Sequence, residues 1–98
     1  MISVMVKYRV KKDKVELVRK AIVQFVEAVA RYESGTLAYD AFQEDETGFV
    51  HLMTFKNDQA RKAHEIADYT NRFVDMLYPN CEKEPVFTEL TPLKSNRY

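Results

Sequence analysis

Glycine is nearly missing from this chain, with Gly35 and Gly48 the only two. Neither a three-glycine dinucleotide turn nor a phosphate-cradling loop of Walker type can be built from so few. One cysteine, Cys81, excludes a disulfide framework and a cysteine zinc site, and two histidines, His51 and His64, exclude a three-histidine zinc site. Tryptophan is absent. Net charge is zero: fifteen Lys and Arg cancel fifteen Asp and Glu, and each half of the chain is balanced as well. That argues against nucleic acid as a partner, since phosphate backbones are held by clustered excess cations. No apolar run approaches the roughly 18 residues of a membrane span, and the start, Met1-Ile2-Ser3-Val4, lacks a basic lead and a cleavage site. A cytoplasmic setting, with no membrane partner, is therefore expected.

What remains is 98 residues, 46% hydrophobic and 31% charged, enough for one globular core. Residues 1–92 are read as that domain and 93–98 as a polar tail. Ile2, Val4, Val6, Tyr8 and Val10 alternate with more polar neighbours, the mark of a half-buried strand. A helix follows, with Asp13 and Glu16 spaced as a capping box and a stripe at Val15, Val18, Ile22, Phe25, Val29 and Tyr32. Ser34-Gly35 is expected to end it in a left-handed residue. Two strands, Thr36–Asp45 and Phe49–Lys56, flank the hairpin turn Glu46-Thr47-Gly48, where glycine again suits a positive φ. Asn57-Asp58 caps a further helical stretch, Thr70 offers a second cap, and Pro85 and Pro92 bracket a last strand, Val86–Thr91. The order β-α-β-β-α-β is that of an α+β, ferredoxin-like fold with a four-stranded antiparallel sheet.

The third strand carries large apolar groups on both sides, Phe49, Met53 and Phe55 on one and Val50 and Leu52 on the other. Two helices cover only one face. A second copy over the other face, giving a homodimer, is the expectation.

The runs Ser34-Gly35-Thr36-Leu37-Ala38-Tyr39 and Phe49-Val50-His51-Leu52-Met53-Thr54-Phe55, with Ala60-Arg61-Lys62-Ala63-His64 followed by Tyr69 and Phe73, resemble the antibiotic biosynthesis monooxygenase type of dimeric α/β-barrel protein. That resemblance spans about Ile2 to Thr91. It implies two ferredoxin-like copies forming the barrel, and an activity drawn from a set that includes cofactor-independent oxygenation of aromatic or quinol-like molecules, haem degradation and sugar isomerisation. Met53 and Phe55 stand where many members have glutamate and tryptophan. Tyr8 stands near the asparagine of the haem-degrading branch, which demotes that activity.

His64, beside the small Ala60, Ala63 and Ala67, is read as a general base or hydrogen-bond donor, against the alternative of a helix histidine bonded to a carbonyl. Tyr39 and Tyr69 are the candidate hydroxyls beside it, each otherwise a core ring. His51, Met53, Phe55 and Phe73 are candidate pocket walls. Whether His51 faces the helices or the partner stays open, because one residue of register inverts a strand. Cys81, flanked by Glu82-Lys83-Glu84, reads as a spectator thiol. The cations Lys7, Arg9, Lys11, Lys12 and Lys14 read as a solvated run, and Glu44-Asp45-Glu46 lacks metal-ligand spacing. No metal or cofactor is expected. The leading reading is a cofactor-independent monooxygenase with its pocket between sheet and helices; the rival is a non-catalytic dimeric ligand-binding or stress-response module.

Overall fold

A computed structural model describes residues 1–97; Tyr98, the end of the polar tail, lies outside the described residues. Strand β1 (Ile2–Arg9) leads through a one-turn 3-10 helix (Lys12–Lys14) into helix α1 (Val15–Tyr32). Strands β2 (Thr36–Gln43) and β3 (Gly48–Phe55) form a hairpin, followed by α2 (Asp58–Ile66), α3 (Asp68–Leu77) and strand β4 (Val86–Leu90). The sheet is antiparallel throughout in the order β2-β3-β1-β4, the ferredoxin-like arrangement.

Cross-strand pairing assigns the two faces. Val4, Val6 and Tyr8 of β1 pair with Met53, His51 and Phe49 of β3, and Tyr39 and Ala41 of β2 join the same rows. This face lies under the helices. Val18, Ile22, Phe25 and Val29, at helical steps along α1, are buried over it with Phe73 and Leu77 of α3. The opposite face presents Met5, Phe42, Val50, Leu52, Val86 and Leu90, with Phe42 and Val86 more than half exposed. After β4 the tail turns back far enough for Arg97 to pair with Asp40 of β2, at the other edge of the sheet.

Several local expectations need correction. Asp13 caps nothing: it lies within the 3-10 turn, and α1 starts from Lys14 without a side-chain cap. Neither glycine has positive φ. Gly35 is required by proximity instead, since a Cβ there would sit 2.6 Å from the Cβ of Ala60, so the β2 entry and α2 approach as closely as two backbones allow. At Gly48 a Cβ would crowd Asp45 and Arg9. Asn57 does cap α2, its Oδ1 accepting from the Ala60 amide. Thr70 is not a cap, because α3 begins at Asp68 after the extended residue Ala67, which leaves Thr70 buried within the first turn.

The charged runs neutralise each other. Arg9 donates to both oxygens of Asp45, Lys7 reaches Glu44 and Lys12 reaches Glu46. Cys81 is buried beside Val10, and burial, rather than the flanking carboxylates, pushes its thiol up. No helix among the described residues is long and apolar enough to cross a membrane.

Candidate active site

A cavity of about 590 Å³ lies between the helix-facing side of the sheet and helices α2 and α3, within the volume range of small-molecule sites. Val4, Val6, Met53, Phe55 and Phe73 supply apolar wall, and Tyr8, Tyr39, His51, His64 and Thr70 supply its polar groups. The half-buried Arg61 and the exposed Lys62, Phe87 and Glu89 form the mouth on the β4 side. Arg61 is already committed to Asp58 and Glu89, so the mouth carries no spare guanidinium.

His64 projects from the last turn of α2 and is buried among the rings of Phe25, Tyr39 and Phe55, at 5.7, 5.6 and 5.3 Å. Its Nδ1 lies 2.9 Å from each carboxylate oxygen of Glu33. A carboxylate only accepts, so Nδ1 carries the hydrogen, and in the neutral form of the ring the lone pair is on Nε2. No protein group among the described residues takes up Nε2. The carboxylate of Glu33 has a side-chain exposure of 7% and is held from two further sides, by Thr36 Oγ1 donating at 2.6 Å and by the Tyr69 hydroxyl. Tyr69 thus faces Glu33 and not the cavity, and its phenol is pushed up, first by burial and then by that carboxylate.

His51 joins the same cavity from β3. Pairing of Val6 with His51 places the imidazole on the helix side, where Tyr8 lies 2.6 Å from Nε2 and Tyr39 lies 2.8 Å from Nδ1. Burial, with the neighbouring His64 adding to it, depresses the His51 imidazole from 6.5 to about 4. Both tyrosines are pushed well above their ordinary value, chiefly by burial.

The depressed His51 has a consequence for stability. Below pH 6.5 the unfolded chain takes up a proton that the folded ring refuses until about pH 4, so stability falls as pH drops through this window and is unaffected above it. Between pH 7 and 4.5 the His51 contribution is a loss of about 2.5 kcal/mol. Urea unfolding of wild type and His51→Gln at both pH values measures it: the variant is less stable at pH 7 and loses less on acidification. Equal losses would show that His51 titrates normally.

Of the candidate residues, His64, Tyr39, His51, Met53, Phe55 and Phe73 all line the cavity, and Tyr69 stands behind it. Glu33 was not singled out by sequence, although a signal was present: a carboxylate at the C-terminal end of α1 opposes the helix dipole and needs a reason to be there. Tyr8 belongs by its alternation to a strand core and Thr70 by residue type to a helix cap, so neither stands out in the sequence as a site residue.

The family model for antibiotic biosynthesis monooxygenases matches residues 1–76. This chain belongs to that family. A crystal structure of an antibiotic biosynthesis monooxygenase is 22% identical, with TM-score 0.86, covering 96% of this chain and all of the other. A Nitrosomonas europaea protein provisionally assigned to antibiotic biosynthesis monooxygenases is 24% identical, with TM-score 0.90 and the same coverage. Rv0793 from Mycobacterium tuberculosis is 17% identical, with TM-score 0.86 and 97% of each chain covered. At these identities the likeness is one of fold. No curated protein matches the chain. Within the monooxygenase family fold, the cavity, the Glu33–His64 pair and the His51 cluster are described by this chain's own residues.

Proposed function

We propose that this family member is a cofactor-independent monooxygenase acting on a small, acidic aromatic or quinol-like molecule bound between sheet and helices. The observation that carries the reading is His64 on the wall of a largely apolar cavity, its Nδ1 held by Glu33 and its Nε2 without a protein partner among the described residues. Such a pair has the geometry of an oriented general base, in which the carboxylate sets the tautomer and steadies the imidazolium that forms.

Chemistry without a cofactor then follows from the substrate. His64 removes a proton from a phenol or an activated CH₂, and the resulting anion is electron-rich enough to reduce dioxygen. A new C–O bond gives a peroxide, protonation gives the hydroperoxide, and loss of water leaves a carbonyl. For an anthrone, CH₂ and O₂ become C=O and H₂O, the carbon giving up four electrons and dioxygen accepting them. The dry wall of Phe25, Phe55 and Phe73 keeps the anion from being reprotonated by bulk water. Tyr69 and Thr36 are positioning residues that hold Glu33. One buried thiol suits a cytoplasmic setting.

The working unit is a homodimer through the uncovered sheet face, where Phe42, Leu52, Val86 and Leu90 would otherwise stay in water. Sedimentation at micromolar concentration is expected to give twice the 11.5 kDa chain mass; a particle of chain mass would refute the dimer. Oxygen consumption with a panel of quinols and anthrones tests the activity. Acceleration that depends on His64 supports the enzyme, whereas binding without turnover would favour the ligand-binding module, a reading to which the missing tryptophan already lends weight.

A further inference from the structure

Glu33 and His64 leave a second polar unit in the cavity without a task. His51 sits between two phenols, with Tyr8 on Nε2 and Tyr39 on Nδ1. A neutral imidazole offers one N–H and one lone pair, and each phenol offers one O–H. Three hydrogens therefore serve two hydrogen bonds, and one is left over. With the hydrogen on Nδ1, the ring donates to Tyr39 and accepts from Tyr8, so the Tyr39 O–H is spare. With the hydrogen on Nε2 the roles reverse and the Tyr8 O–H is spare. Neither hydroxyl has another side-chain partner among the described residues, and both line the cavity.

Thr70 adds an independent observation. It is 8% exposed, its Oγ1 is a buried side-chain atom without a hydrogen-bond partner, and it lines the same cavity. It also lies one helical turn before Phe73, whose ring is 6.0 Å from that of His51. A buried hydroxyl is costly to leave unpaired, so a bound molecule with an oxygen at this place would satisfy it.

We propose that Tyr8, His51 and Tyr39 form a neutral proton wire that hands a proton to an oxygen of the bound molecule, with Thr70 Oγ1 hydrogen-bonded to the same molecule. This rests on the oxygenase reading, in which the oxygen is that of the peroxide formed from substrate and dioxygen. The Tyr39 O–H bond breaks as the peroxide O–H forms. Nδ1–H then restores Tyr39, Tyr8 passes its hydrogen to Nε2, and the Tyr8 oxygen recovers a proton from water entering at the mouth, the hydroxide so formed being neutralised by the proton that His64 took from the substrate. No electrons move along the wire. His64 takes a proton from the substrate and the wire returns one, which separates the base from the acid in one cavity. Burial keeps all three groups uncharged at rest, in keeping with a relay rather than a store of charge.

A wire is broken equally by a cut anywhere. Tyr8→Phe, Tyr39→Phe and the double variant should each lower kcat for anthrone oxidation about tenfold, KM moving less than twofold. Losses that multiply to about a hundredfold in the double variant, or single variants at wild-type kcat, would overturn the wire. A readout free of turnover comes from ¹⁵N-histidine NMR. His51 should give the signals of a neutral ring at pH 7, whereas an imidazolium would have two N–H groups and would overturn the proposal. If the wild type oxidises none of the panel, the oxygenase reading falls and the wire with it, whereas turnover in the wild type with single variants at wild-type kcat overturns the wire alone. An imidazolium with normal turnover likewise overturns the wire alone.

Discussion

Replacing His64 by glutamine is expected to lower kcat/KM for quinol or anthrone oxidation by about 10²- to 10⁴-fold, the usual worth of a positioned general base. The cost falls mainly on kcat, because the apolar wall that binds the ring system is untouched. Glu33→Gln should approach the same loss by another route. The amide presents an NH₂ as well as a carbonyl, and where it donates to Nδ1 the imidazole switches tautomer and its lone pair leaves the cavity. Tyr69→Phe removes one of three donors to Glu33 and should cost less than tenfold. Steady-state oxygen uptake by the three variants checks this order. A Glu33→Gln protein as fast as wild type would mean that the carboxylate does not set the ring.

Phe25→Ala is expected to be the most damaging core substitution, at about 3–5 kcal/mol. Phe25 is 5% exposed and its ring stacks on Phe73 at 4.4 Å, meets Tyr39 edge-on at 5.6 Å and lies against His64 and Tyr69. Neighbours tied to the Glu33 and His51 clusters have little freedom to close the gap, so most of the cavity created will persist. For a domain of this size the loss corresponds to a fall in Tm of roughly 12–30 °C, readable by thermal unfolding. Phe25 also stands between the main cavity and a smaller one lined by Tyr69 and Met76. A shift of only a few degrees would show that the site collapses around the deletion.

The sheet and helices were legible because their signals are periodic. Alternation in β1, the α1 stripe and the Asn57 cap each act over a few residues, and β1, α1 and α2 each formed within one or two residues of the expected bounds. Cues that depend on space failed. Gly35 looked like a left-handed terminator, but it is small because Ala60 lies against it, a contact 25 positions away that no local pattern carries. Asp13 had the spacing of a cap, yet the chain spends that stretch on a 3-10 turn.

The site was legible in part for the same reason. His64 could be found as a polar residue on a small-residue helix face, and His51 only as one of two alternatives until its pairing with Val6 fixed its face. Glu33 lies 31 positions from the ring it orients. Tyr8 sits in a strand whose alternation made it look like any other buried aromatic, and its hydroxyl gained meaning only when His51 came to stand opposite.

The most direct measurement of the central claim is turnover of an anthrone under ¹⁸O₂ by the wild-type protein, followed by mass spectrometry of the product. One labelled oxygen at the former CH₂ carbon, formed faster than the uncatalysed background and lost in His64→Gln, is the predicted result. Background rates with wild type across the quinol and anthrone panel, or label incorporation that is unchanged in His64→Gln, would contradict it.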